Sequence, residues 1–391
     1  MKKLFYDIQI TGHHSEYISH LVDYIYDNPD EQTYIFVLHP EFSLKFQDIT
    51  TKAQKASNIM WIEVSIKEHQ KCQIAKSTKR SFAEYQLMNL YAQKFRADHV
   101  VLLNYNVLQI ATIYKRSNYS LSGIYFAPYP RMQLQSLKSK IVYFRKIFRA
   151  RSSVRNSQIK TLFVLNDQKT TDHLNKSLNT SIFKMLPDPI PMLSPLVGFD
   201  IYEHYKIEKS RNIFLHLGAL RSNKGTLEIV ESVKHMPQSI KKMVAILIVG
   251  KTKDEQLEQQ LNKSIAWIKE NTAAIVIWDN IFAPNEMMKS LFEQSFSILM
   301  PYKSAEASSG ILGHAANSKK PVIASGNGLI GELVKENKLG ITLEQVTSEN
   351  ISFQIQRLLE EGFSTSFGFE KHVNDNSKAL FAKRLLDINE R

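Results

Sequence analysis

The chain has 391 residues, of which 43% are hydrophobic and 23% charged. That excludes disorder as its main state and asks for about two domains of 150–200 residues each. A single cysteine, Cys72, excludes an intrachain disulfide and a thiolate metal cluster, and the formal net charge of +12 favours anionic partners.

The opening Met1-Lys2-Lys3 leads into an apolar run broken at Asp7, too short for the core of a signal peptide. No stretch approaches the roughly 20 apolar residues of a membrane-spanning helix, so residence in the cytoplasm is expected. Short apolar runs predict strands at 4–10, 34–38, 59–64, 99–103, 123–126 and 161–165. Longer amphipathic segments predict helices at 14–26, 82–95 and 134–149. The same alternation returns later: strands at 213–217, 244–249, 274–277, 297–300 and 321–324, with helices at 224–234, 255–270, 284–293 and 310–317 between them. This spacing means parallel sheets with crossover helices. The continuous apolar run Val244–Val249 suits a sheet buried on both faces.

Between them, residues 186–211 carry Pro187-Asp188-Pro189-Ile190-Pro191 and no helical period. Three prolines in five residues prevent a regular ladder and read as an extended linker. The expected fold is therefore α/β, with two Rossmann-like, doubly wound domains facing a central cleft. Ligands of such sheets bind at the carboxyl ends of the strands.

Three corners carry chemistry. In the segment 301–314 a buried strand ends at Met300, a small polar loop follows, and a helix starts near Ser309-Gly310. Free amides at a helix start attract an anion, and Gly310 lets a phosphate approach the backbone. Glu306 stands just before, placed to bond hydroxyls of whatever the phosphate carries. In the segment 217–225, Arg221 and Lys224 are three residues apart and can converge on one phosphate pair. In the segment 325–332, Gly326, Gly328 and Gly331 give a backbone nest or a tight turn. Each corner alone also fits an ordinary strand–loop–helix junction with solvated cations.

Taken in this order and spacing, the corners resemble the retaining glycosyltransferases of the GT-B fold, family 4 type. The Gly-x-x-Arg-x-x-Lys-Gly element of that family is matched by Gly218, Arg221, Lys224 and Gly225. Glu306 matches the first glutamate of its paired-glutamate motif, and Lys320-Pro321-Val322-Ile323-Ala324 matches the strand that follows. The resemblance is specific over about residues 211–345. It implies a transferase of the hexosyl type working without a metal, with a nucleotide-sugar as co-substrate rather than a cofactor. Arg221 and Lys224 would neutralise the donor diphosphate, with Gly218 beside them. The amides of Ser309, Gly310 and Ile311 would hold its distal phosphate. Glu306 would contact the transferred sugar, and Gly328 and Leu329 would lie near the pyrophosphate or sugar. The second glutamate is replaced by His314, whose ring nitrogen would have to serve the nucleotide ribose.

The resemblance also implies an acceptor domain over 1–190, a nucleotide-sugar domain over 191–372 and a last segment, 373–391, that crosses back to the first. A glycine turn, Gly12, opens a helix carrying His14 and Glu16 as acceptor contacts. The histidine that the family often has at the mouth of this domain is absent, and Tyr129 or Arg131 would stand in for it. The residues leave open a lapsed nucleotide-sugar-binding protein and another GT-B chemistry such as sugar-nucleotide epimerisation. Nucleic acid is not an expected partner, since no helix-turn-helix, RRM or zinc pattern backs the charge.

The charge is uneven. No acidic residue occurs between Asp98 and Asp167, while eleven cations do: Lys115, Arg116, Arg131, Lys138, Lys140, Arg145, Lys146, Arg149, Arg151, Arg155 and Lys160. Leu134, Leu137, Ile141, Phe144 and Phe148 form an apolar stripe at helical spacing within it. The segment 131–160 is expected either to pack that stripe on the sheet or to lie on an anionic membrane face.

Overall fold

The computed structural model describes residues 1–74, 77–134, 136–304, 308–362 and 366–387. The chain divides into two compact units, one of Met1–Pro189 with the segment from Ser377 onward, the other of Ile190–Asn376.

The first unit is a parallel sheet of seven strands: β1 Lys2–Asp7, β2 Thr33–Leu38, β3 Ile59–Glu63, β4 His99–Leu102, β5 Ser120–Ile124, β6 Ile159–Leu165 and β7 Phe183–Leu186. Their spatial order is β3-β2-β1-β4-β5-β6-β7. β1 pairs in register with both β2 and β4, so the strand order reverses between β1 and β4. Apolar clusters fill both faces of this sheet, which is why its strands read as runs rather than as alternating residues. Helix Lys378–Leu386 belongs to this unit: Phe381 and Leu385 are fully buried, and Phe381 packs against Tyr17 with ring centroids 4.8 Å apart. The Lys3 ammonium donates to the Leu386 carbonyl, and Arg384 donates to the Met185 carbonyl at 2.9 Å.

The second unit repeats the plan with β8 Asn212–Leu217, β9 Val244–Val249, β10 Ile275–Asp279, β11 Ser297–Met300, β12 Val322–Ser325 and β13 Gly340–Leu343, in the order β10-β9-β8-β11-β12-β13. All of its pairings are parallel, and β9 is buried throughout. The reversal here falls between β8 and β11. Both units are thus doubly wound α/β sheets.

Two local expectations are corrected. The segment 186–211 does contain a helix, Ile201–Tyr205. Asp200 starts it by accepting from the amides of Tyr202 and Glu203, and Lys206 in the left-handed region stops it after one turn. A helix that short has no period to read. The helix expected at 224–234 is broken into a turn of 3-10 helix at Ser222–Lys224, helix Thr226–Ser232 and another 3-10 turn at Val233–His235. Gly225 makes the first break with φ +71°, and a Cβ there would overlap the Pro301 carbonyl. Only glycine fits both demands.

Candidate functional site

In the second unit the strand order reverses between β8 and β11, where an open α/β sheet offers a crevice at its carboxyl edge. The loops after these two strands frame an open cavity of about 290 Å³. Its lining comes from the end of β8 and the following turn (His216, Leu217, Gly218, Ala219, Arg221 and Lys224), and from the other side (Tyr302 and Ile311).

The turn is built to hold its shape. Gly218 takes φ +125°, and its amide donates to the Val249 carbonyl at 3.0 Å. The Lys303 amide donates to the Asn223 carbonyl at 2.9 Å, which ties the loop after β11 to the turn after β8. Outside the cavity the Lys303 ammonium pairs with Glu228 at 2.6 Å.

Lys224 is strongly altered by this geometry. Its ammonium sits 3.6 Å from the centroid of the Tyr302 ring, a cation–π contact. Burial, and to a lesser extent repulsion from Arg221, together lower its pKa to about 8. Tyr302 is itself 2% exposed, and burial raises its phenol to about 12, a hydrogen bond with Ser309 opposing. An ammonium with a weakened hold on its proton, next to a guanidinium, gains most when an anion arrives.

Behind them lies His216, fully buried and lowered to about 4 by burial. Its Nδ1 is 2.9 Å from the Leu299 carbonyl and its Nε2 is 3.0 Å from the Thr226 hydroxyl. A carbonyl only accepts, so Nδ1 carries the proton and Nε2 accepts from Thr226. The neutral imidazole thereby bolts β8 to β11 and to the start of helix Thr226–Ser232. Sequence reading passed over it, because a polar residue inside an apolar strand carries no spacing signal of its own. Tyr302 was visible only as part of a loop.

Of the residues expected at the donor site, Gly218, Arg221, Lys224 and Ile311 line the cavity together. Ser309 and Gly310 form the start of helix Gly310–Asn317, where Ser309 has extended backbone and makes no side-chain cap. His314 lies one turn along that helix, its ring stacked on Phe292 at 5.7 Å. Gly328 and Leu329 begin helix Gly328–Glu336 after β12 and are not among the lining residues; the Leu329 side chain is 3% exposed. Glu306 lies outside the described residues.

The first unit places its candidates at the carboxyl end of β1 and after β5. Gly12 turns the chain with φ +74° into helix His14–Asp27. His14 Nδ1 lies 2.5 Å from a carboxylate oxygen of the buried Asp7, whose other oxygen accepts from the Gln9 amide at 3.0 Å. Glu16 pairs with His13 at 3.3 Å, which raises the His13 pKa. Tyr129 and Arg131 are engaged inside the unit. Tyr129 is 3% exposed, and Arg131 grips Asp167 through two bonds of 2.6 and 2.8 Å. Asp167 in turn caps helix Gln168–Leu178.

Among the described residues, no three of His, Cys, Asp and Glu converge as metal ligands. None of the described helices is long and apolar enough to cross a membrane.

This fold is shared with known proteins. WaaG, a glycosyltransferase involved in lipopolysaccharide biosynthesis, superposes with a TM-score of 0.64 at 14% identity over 100% of both chains. A glycosyltransferase from Rickettsia africae gives 0.67 at 14% identity, over 99% of this chain and 97% of that one. Anabaena HepE, solved with UDP and glucose, gives 0.61 at 12% identity, over 100% and 97%. Identities this low carry the fold alone. No curated protein matches the chain in sequence. A family model does: residues 200–379 match Glycosyl transferases group 1. That match spans every residue lining the β8–β11 cavity, and over this stretch the chain is similar to the group 1 glycosyltransferases.

Proposed function

We propose that the chain transfers a sugar, of the hexosyl type and with retention of configuration, from a UDP- or GDP-sugar to a surface-glycan or lipid-linked acceptor in the cytoplasm. The observation that carries this reading is the convergence of Arg221 and Lys224 on a cavity at the strand-order reversal of the second unit. Breaking a glycosyl–phosphate bond places negative charge on the departing diphosphate. Preorganised cations and amides stabilise that charge in the transition state. In this reading Arg221 and Lys224 take the diphosphate without a metal, and Gly218 lets it approach the backbone. The amides at Ser309, Gly310 and Ile311 take the distal phosphate. His314 serves the ribose, Glu306 the transferred sugar, and Gly328 and Leu329 the edge of the donor. Gly12, His14 and Glu16 face the acceptor. HepE, solved with UDP and glucose, supports a nucleotide-sugar as the donor class.

Thermal stabilisation across UDP, GDP, CDP, ADP and their sugar conjugates tests the proposal. A ligand at about 100 times its dissociation constant adds about 2.7 kcal/mol. A shift with one diphosphate family that disappears in Lys224→Ala supports the site and identifies the base. No shift across the panel, or a shift that survives that substitution, overturns it.

A further inference from the structure

Among the described helices, Leu137–Val154 sets four large apolar side chains in one line toward solvent. Ala150 is fully buried, and Tyr143, Ile147 and Val154 pack against the core of the first unit. That face anchors the helix. Leu137, Ile141, Phe144 and Phe148 lie elsewhere, with exposures of 79%, 61%, 67% and 60%. At roughly 100° per residue they fall within an arc of about 60°. Leu134, just before the helix, is exposed as well. The stripe therefore does not pack on the sheet. Four large side chains in one line form a patch that a monomeric soluble surface does not ordinarily carry.

Charge completes the picture. On the same helical wheel, Lys140 and Arg151 border one edge of the stripe, and Lys138, Arg145 and Arg149 border the other. Lys146 is excluded from the set because its ammonium donates to the Ala127 carbonyl at 2.6 Å on the inner side. No acidic residue between Asp98 and Asp167 neutralises these flanks from within the segment. The start is fixed by a reciprocal capping box between Ser136 and Ser139, so the stripe is held straight from its first turn.

We infer that this face docks on an anionic lipid bilayer, the helix lying flat with Ile141, Phe144 and Phe148 in the headgroup–acyl boundary and the flanking cations among the lipid phosphates. An apolar line with cations on both edges matches such a surface in chemistry and in geometry. A second copy of the chain is a poor occupant, because it would bring two sets of the same cations edge to edge. The inference stands apart from the donor site and holds whatever sugar is transferred.

The test is co-sedimentation of the full chain with vesicles of phosphatidylcholine mixed with phosphatidylglycerol, against vesicles of phosphatidylcholine alone. Binding is expected with the mixed vesicles. It should weaken as salt rises from about 0.1 M to about 1 M, which shortens the Debye length from about 10 Å to about 3 Å. The triple variant Ile141→Ser, Phe144→Ser, Phe148→Ser removes only exposed side chains, so its melting temperature should hold while its partition falls at least about tenfold. A Phe144→Trp chain should show blue-shifted emission on the mixed vesicles relative to the parent. Absence of binding to the mixed vesicles, or binding unchanged in the triple variant, overturns the inference. So does a wild-type dimer in solution that the triple variant abolishes. Nucleotide-induced melting shifts, measured on the same triple variant, should be unchanged; their absence in the parent chain would count against the donor site and not against the docking face.

Discussion

The Lys224 ammonium lies 3.6 Å from the centre of the Tyr302 ring. The two residues come from loops after different strands and meet because β8 and β11 are neighbours. The contact holds a cation in a partly dehydrated place without neutralising it. Removing that cation by Lys224→Ala should cut transfer by about 10²–10³-fold, the range seen when one preorganised electrostatic contact to a transition state is lost. The melting temperature without ligand should not fall, since the substitution deletes a charge whose burial is unfavourable. Initial rates with saturating donor, set beside a melting curve, check both halves.

The lowered pKa of Lys224 has a signed consequence. Its value of about 8 in the folded chain lies below the ordinary 10.5, so between these values the unfolded chain binds the extra proton. Stability from this group therefore rises as pH goes from about 8 to about 10.5, and the burial penalty is fully present below about 8. Diphosphate affinity should run the other way, weakening as pH rises through about 8. Binding near that pH should take up a proton. Calorimetry in two buffers of different ionisation enthalpy measures the uptake, and Lys224→Ala should abolish it.

His216 should act on stability before it acts on activity. His216→Phe leaves the Thr226 hydroxyl and the Leu299 carbonyl without their shared partner. The expected cost is about 2–3 kcal/mol, the scale of a buried group left unsatisfied. Urea unfolding should show a lower midpoint with an unchanged slope. The imidazole is held near pKa 4 in the folded chain against an ordinary 6.5, so between these values the unfolded parent binds the extra proton. The cost of the substitution should be constant above about pH 7.5 and shrink by about 0.8 kcal/mol on going down to pH 6.

Arg131 divides a structural role from an acceptor role. Arg131→Ala strands the buried carboxylate of Asp167, at a cost of about 3–5 kcal/mol. If the side chain works only inside the first unit, the UDP- or GDP-induced melting shift and the acceptor KM should match the parent at a temperature where both chains are folded. A selective rise in acceptor KM would return Arg131 to the acceptor site.

Legibility in the sequence followed how local each signal is. β9 was readable because six apolar residues in a row mean a strand buried on both faces, and helix Gly310–Asn317 because a small polar loop precedes it. β7 was not predicted, since exposed Lys184 interrupts a strand of only four residues. β13 is as short and half exposed. Helix Tyr105–Tyr114 was missed because its residues are apolar on most sides, leaving no polar face to mark the period. At the site, Arg221 and Lys224 announced themselves by spacing. The Tyr302 ring beneath Lys224, the His216 bolt and the Arg131–Asp167 grip are tertiary pairings, and no window along the chain contains both members. The stripe on helix Leu137–Val154 was visible, yet that helix has two apolar faces and only the packed structure tells which one is spoken for.

The helix Lys378–Leu386 carries a consequence for the order of events at the ribosome. It seals the first unit with Phe381 and Leu385, yet the chain reaches it only after all of Ile190–Asn376 has been made. Where the chain enters and leaves that intervening stretch, the Ile190 amide donates to the Asn376 carbonyl at 3.1 Å. The unit begun first is thus the one finished last. During synthesis its open flank, including Tyr17 and the buried face of helix His14–Asp27, must wait in the company of chaperones or of its own partly formed core while an entire second unit is completed.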